Sequence, residues 1–306
     1  MARRYSTEEA ARDLFESIRW PNGPVCPHCG NTDSDRIYKI VPNPDKKIRA
    51  GVHKCAECRE EFTVTVGTVM ESSKIPLTKW LFGFYMMCAS KTQVSALQLQ
   101  RQLDIGSYRT AWFMCHRIRY ALEGGDDPLG GTGGTVEADE TFIGGKRRGV
   151  GSGYVENKTP VISTVERGGK VMSKAVGRVT GKEITKVLRE QVAKNAHLNT
   201  DESLVYEKVG KEFASHATVN HHAEEYARRD EFGTLVTTNT VEGFFGNSKR
   251  SIDGTHHHIS RQHTNLYFAE LDYKYNTRKE TDGERTVGAI QQVEGKRVMY
   301  KELVGE

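Results

Sequence analysis

A chain of 306 residues, 37% hydrophobic and 27% charged, has the length for two or three domains and the polarity of a globular protein. No apolar run approaches the ~18 residues that span a bilayer, and the opening MARRYSTEEAARDLFESIRW alternates charge with apolar groups where a signal peptide would be apolar, so a cytoplasmic protein with no membrane partner is expected. The net charge of +4 does not itself announce a nucleic-acid ligand, but basic residues gather in GGKRRG (144–149), NSKR (247–250) and DYKYNTRK (272–279).

Residues 1–22 contain an amphipathic helix, STEEAARDLFESIRW, opened by a Ser/Thr cap with Glu following. Residues 23–72 hold four of the six cysteines as two pairs, Cys26 and Cys29 in CPHCG and Cys55 and Cys58 in CAEC. In a reducing compartment such pairs rarely form disulfides, and the two-residue gap lets both thiolates of a turn reach one tetrahedral ion at about 2.3 Å, so structural zinc is the expected cofactor. The β-rich RIYKIV and EEFTVTVGT around the pairs make this a zinc ribbon. His28 and His53 stand beside the cysteines, but four thiolates already complete the shell. Cys88 and Cys115 sit at apolar positions of helical stretches and read as buried core thiols.

Residues 73–124 are helical. PLTKWLFGFYMMCAS is followed by two periodic stretches broken at DIGS, the second carrying Arg109, His116, Arg117 and Arg119. Two helices joined by a short Gly-containing turn have the form of a helix-turn-helix, with Arg109 and Arg117 as candidate DNA contacts; a plain helical connector has the same periodicity. Residues 125–134 form a Gly-rich linker, within EGGDDPLGGTGGT. From 135 to 280 the order is strands (135–145 and 158–181, with a turn at Arg167–Lys170), a helix over 182–196, two further strands in HLNTDESLVY and HATVNHHAEEY, and helices over 239–252 and 263–276. Strands, a helix, strands and then helices predict an α/β domain. The tail 281–306 is polar and is expected to be peripheral, with a short strand near KRVMYKEL.

The strand TVEADETFIGG places Glu137, Asp139 and Glu140 where a strand would prefer apolar groups. Asp139 and Asp201 end separate strands, and Glu242 follows on a helix. Three such carboxylates make a site for two hard divalent cations, because Mg²⁺ or Mn²⁺ takes oxygen ligands and keeps positions open for phosphate and water. Two ions about 4 Å apart activate the attacking oxygen and stabilise the leaving one in an in-line phosphoryl transfer. Glu137, on the same strand face as Asp139, is an alternative ligand or else a solvated or Lys-paired carboxylate; Glu140 points to the opposite face as a structural partner. Glu202 rivals Asp201, and Asn239, one helical turn earlier, rivals Glu242.

Taken together, CPHCG…CAEC, the paired helices, VEADETFIGGK, TDES…Y, VNHHAEEY, NTVEGFFGNSKRSIDGTHHHIS and ELDYKYNTR resemble bacterial insertion-sequence transposases with an N-terminal zinc ribbon and a DDE catalytic domain. The resemblance covers roughly residues 6 to 279. It implies a ribonuclease-H-like catalytic domain preceded by a zinc ribbon and a small helix-turn-helix-like domain. It also implies Asp139, Asp201 and Glu242 as the metal-binding catalytic triad with two Mg²⁺ or Mn²⁺ ions. Lys249, seven positions after Glu242 on one helix face, would contact a terminal phosphate, with Arg250 beside it holding DNA backbone. Expected partners are the element's terminal inverted repeats and target DNA, bound by a homodimer or higher oligomer. A domesticated or inactive DNA-binding protein, or a nuclease without strand joining, is the alternative. The histidines of NHH (220–222) and THHHI (255–259) are expected to contact phosphate or bridge loops.

Overall fold

The computed structural model describes residues 4–125, 127–145, 157–229, 231 and 233–305, with His222 described by its backbone alone. Lys146, Arg147 and Arg148 of the basic GGKRRG stretch therefore lie outside the described residues. The chain divides into two units, Met1–Leu122 with Glu280–Glu306, and Glu123–Lys279.

The first unit opens with α1, Glu8–Arg19, capped by the Thr7 hydroxyl, which accepts from the Ala10 N–H, and buries Ala11 and Phe15. A three-stranded antiparallel sheet follows, β1 (Ile37–Lys39), β2 (His53–Cys55) and β3 (Glu61–Phe62). Glu8 of α1 then accepts the backbone N–H groups of Leu77 and Thr78, each at 2.9 Å, at the start of α2 (Leu77–Ala89). A carboxylate there satisfies two of the four donors that a helix start leaves open. Helix α2 buries Trp80, Leu81, Phe84, Met87 and Cys88. Its Gly83 is a close-approach position, since a Cβ there would lie 2.5 Å from the Met114 methyl. The paired helices are α3 (Ala96–Gln102) and α4 (Tyr108–Leu122).

The C-terminal segment departs from expectation. It is not a peripheral tail, and KRVMYKEL forms no strand: residues 282–304 form α9 (Asp282–Gln291) and α10 (Tyr300–Val304), and α9 packs against α2, burying Thr286, Ala289 and Ile290. The Thr281 hydroxyl and the Glu284 carboxylate form a reciprocal cap at its start. The segment buries few apolar residues, Ala289, Ile290, Val293 and Leu303 among them, which is why it reads as polar.

The second unit is built on a five-stranded sheet of order β6-β5-β4-β7-β8, comprising β4 (Thr135–Ile143), β5 (Thr159–Glu166), β6 (Val171–Ala175), β7 (His197–Asp201) and β8 (Ser215–Val219). β4, β5 and β6 run antiparallel, whereas β7 lies parallel to β4 and β8 parallel to β7. One face packs Val136, Ala138, Ile162 and Leu198 against Ile184, Val187 and Leu188 of α5 (Gly181–Gln191). The other packs Ile143, Val161 and Val165 against α7 (Asn239–Thr255) and α8 (Thr264–Asn276). The Gly-rich stretch is part of this unit rather than a free linker: Leu129 is buried and pairs with Val192, and Gly130 lies against Ala196 and Val136. A short helix α6 (Glu207–Gly210) and a small hairpin, β9 (Ala227–Arg229) and β10 (Leu235–Thr237), complete the unit.

Helix α8 also finishes the sheet edge. Asn265, Asp272 and Asn276 accept the backbone N–H groups of Ala175, Ser173 and Val171 at 2.8, 2.8 and 2.7 Å, so β6 has side chains where a sixth strand would pair.

Candidate functional site

The strand pairing brings the first two acids together. The parallel pairing of β4 with β7 stops at Glu137 beside Asn199; two residues on, Asp201 is the last residue of β7, whereas Asp139 lies in the middle of β4 and not at a strand end as expected, because β4 continues to Ile143 on its pairing with β5. Asp139 accepts the Glu140 N–H at 2.7 Å, and Asp201 accepts the Ser203 N–H at 3.1 Å. The third acid enters from α7. Glu242 is held by the Thr238 hydroxyl at 2.7 Å and faces His221 Nε2 at 3.3 Å. Asn239, its rival, is exposed at the first position of the helix.

Burial, with the fields of Glu140, Asp201 and Glu242 added to it, pushes the Asp139 carboxyl up to about 8. Asp201 is raised as well, again mainly by burial, with Glu202 and Glu242 adding to it and His221 opposing. Among the described residues no Lys or Arg pairs with Asp139, Asp201 or Glu242. Hard oxygen donors with unneutralised charge fit a divalent cation.

Glu137 and Glu140 are occupied elsewhere. Glu140, on the opposite face as expected, accepts from the Tyr206 hydroxyl. Glu137 is fully buried and is neither solvated nor paired with a lysine: Arg167 donates to it through Nε at 3.1 Å and Nη2 at 2.8 Å. It also accepts the N–H groups of Thr240 and Val241, at 2.8 and 3.2 Å, and the Thr240 hydroxyl at 2.9 Å. It therefore anchors the first turn of α7 to the strand of Asp139. Glu202 accepts the His221 N–H at 3.0 Å, which leaves Asp201 as the acid beside Asp139. His221 had no signal in spacing or type to connect it with Glu242. His256 packs edge-on to Tyr267.

The basic candidates separate by exposure. Lys249 is exposed on α7, and Arg250, also exposed, donates to Asn247 at 2.6 Å. Arg109 is exposed at the start of α4, its guanidinium 3.9 Å from the Tyr300 ring centroid. Arg117 is not available to DNA. It is 5% exposed, donates to the Glu71 carbonyl and lies over Trp80 and Phe113, and burial pushes its pKa down to about 10.

The four thiols of Cys26, Cys29, Cys55 and Cys58 lie within 4.8 Å of one another. The Sγ separations of 3.6 Å (Cys26 to Cys58) and 3.7 Å (Cys29 to Cys55) match the edge of a tetrahedral zinc site, about 3.8 Å for Zn–S bonds of about 2.3 Å. The Cys58 N–H, the largest influence on Cys55, helps hold that thiol down to about 6. His53 is no ligand candidate here: it is buried and stacked on Phe62 with Trp20 edge-on. Cys88 and Cys115 are buried.

Among the described residues no helix is long and apolar enough to cross a membrane. Residues 6–61 match the transposase zinc-ribbon domain, and residues 131–276 match the ISXO2-like transposase domain. The chain is also 26% identical over 281 residues, 86% of its own length and 89% of the relative's, to an uncharacterized protein in transposable element ISH50 of Halobacterium salinarum. No solved structure matches it. The chain thus carries a transposase zinc-ribbon domain followed by an ISXO2-like transposase domain, and it is similar along most of its length to an insertion-sequence protein.

Proposed function

We propose that the protein binds the terminal inverted repeats of its element and catalyses metal-dependent DNA cleavage and strand transfer, with Asp139, Asp201 and Glu242 as the catalytic acids. The observation that carries this is the placement of Asp139 and Asp201 on adjacent parallel strands, each two residues beyond the paired Glu137 and Asn199 and near enough for the Asp201 and Glu242 charges to act on Asp139, with Glu242 supplied by a helix and without an opposing lysine or arginine among the described residues. The sheet order supports a ribonuclease-H-like reading of the domain, since three antiparallel strands followed by two parallel ones put Asp139 and Asp201 on neighbouring parallel strands.

Bound Mg²⁺ or Mn²⁺ ions would supply Lewis acidity and an activated oxygen nucleophile. The chain's own residues do the rest. Asp139, Asp201 and Glu242 would hold the ions. Thr238 and His221 orient Glu242, and Lys249 and Arg250 would meet DNA phosphate. Zinc on Cys26, Cys29, Cys55 and Cys58 would fix the ribbon, and the exposed start of α4 with Arg109 would enter a groove. A dimer or larger assembly would hold two element ends together for joining.

The test is incubation of the purified protein and Mn²⁺ with DNA carrying the element's own ends, mapping the products. Cuts at the ends and joined strands are expected. Binding of the ends without any cut would favour the domesticated reading, and cuts without joining the nuclease reading.

A further inference from the structure

We propose that the groove between α5 and the loop running from Asp201 into α6 binds the phosphodiester backbone of duplex DNA and carries the substrate away from the reacting phosphate. The choice of ligand rests on the transposase reading above. The groove has a volume of about 820 Å³, with Lys182, Lys186 and Arg189 along α5 and Leu204 and Lys208 opposite them. Lys182 and Lys186 are one helical turn apart, about 6 Å along the axis, on one face of the helix.

Charge selects the occupant. Arg189 is already committed to Glu212 through two bonds of 2.8 and 2.7 Å, and Glu190 is the acidic group among the lining residues. Lys182, Lys186 and Lys208 form no ion pair with any described residue. Three unpaired ammonium groups around one concavity repel one another, and a polyanion relieves that repulsion while releasing its own counterions. Leu204 is 81% exposed on the same wall, an apolar surface suited to the sugar face between phosphates.

Position ties the groove to the acids. Leu204 follows Asp201 by three residues, and the loop ends at Tyr206, which is fully buried and bonded to Glu140, the neighbour of Asp139. The wall that carries Leu204 and Lys208 is thus pinned to the strand of Asp139.

The experiment measures the affinity of the full-length protein for a labelled random-sequence duplex of about 30 base pairs, without divalent ions, over a salt series. The variant combines Lys182→Gln, Lys186→Gln and Lys208→Gln; the control combines Lys170→Gln, Lys174→Gln and Lys194→Gln, which are exposed in the same unit. Loss of three phosphate contacts should flatten the slope of log K against log salt by about 2.7, at about 0.9 per contact, and the control should flatten it less. A slope equal to wild type or to the control, or a wild type with no affinity for the duplex, overturns the groove and leaves the lysines as solvating charges. Cleavage of element ends by the wild type, run alongside with Mn²⁺, reports separately on the transposase reading. An active wild type with an unchanged slope sinks the groove alone, and a groove-dependent slope without cleavage sinks only the catalytic reading.

Discussion

Glu137 accepts the backbone N–H of Thr240 at 2.8 Å, joining the strand that carries Asp139 to the helix that carries Glu242. A buried carboxylate at a helix start satisfies open donors and favours the helix dipole, and Arg167 balances its charge. Glu137→Ala should cost about 3 kcal/mol, the low end for breaking a buried pair, because Arg167 still reaches solvent. Cleavage should fall further than the lost folded fraction accounts for, because the first turn of α7 loses its anchor; Glu137→Gln, which keeps an acceptor, should recover part of both. Thermal unfolding and end-cleavage rates on the same preparations decide it, and an Ala variant with unchanged cleavage removes the anchoring role.

Asp272 gives the stability of the second unit a pH dependence. It is half-buried under the edge of β6, and desolvation pushes it up to about 8 against the bonds from Ser173 at 2.8 and 2.7 Å. A folded-state pKa above the ordinary 3.8 means that its contribution is complete below about pH 4 and declines as pH rises through about 8. Asp272→Asn supplies a neutral acceptor at all pH values. Unfolding midpoints measured from pH 5 to 8 should therefore fall more steeply for wild type than for the variant, and parallel curves would show that Asp272 stays ionised.

The ribbon should hold one zinc per chain. Cys55→Ser removes a buried ligand, so zinc content should drop, and the first unit should become sensitive to proteolysis while the second keeps its fold. Elemental analysis of freshly purified wild type giving less than about 0.2 zinc per chain would end the zinc assignment, since structural sites bind far more tightly than that implies.

Arg109 and Arg117 share one helix and should behave oppositely. Arg117→Ala leaves a gap beside Trp80 and strips a bond from Glu71, so a stability loss of about 2–3 kcal/mol is expected, with DNA discrimination by the folded fraction unchanged. Arg109→Ala, at an exposed site, should barely alter stability and should narrow the difference between end and random DNA. Equal binding by that variant would leave α4 without a reading role.

What could be read in advance follows from periodicity and spacing. Cysteine pairs two residues apart define their own geometry, and alternation along β4 correctly sent Glu137 with Asp139 and Glu140 to the other face. Arg117 was legible in principle: it lies three residues after Met114 and four before Ala121, inside the apolar stripe of α4, but an arginine invites a surface reading. The Thr281 and Glu284 cap was visible as T-x-x-E, yet the following helix buries too few apolar side chains to show a strong period. Asn265, Asp272 and Asn276 make sense only once β6 is known to be the sheet edge, and His221 meets Glu242 only through a loop whose path no local pattern sets.

The three acids should fail together, while Asn239 should not fail with them. The Asp201 and Glu242 charges raise the proton affinity of Asp139, and Glu242 that of Asp201, and a bound cation would oppose that repulsion, so each carboxylate lost weakens metal occupancy as well as geometry. Asp139→Asn, Asp201→Asn and Glu242→Gln should each abolish cleavage and strand joining in Mg²⁺ while end binding stays near wild type, because reading of the ends is expected in the first unit. Asn239→Ala, at an exposed first-turn position, should be milder. A labelled end substrate assayed with all four variants decides among the readings. Near-normal activity in Glu242→Gln with a dead Asn239→Ala would move the third position to Asn239, and full activity in Asp139→Asn would leave the acids of β4 and β7 without a catalytic part.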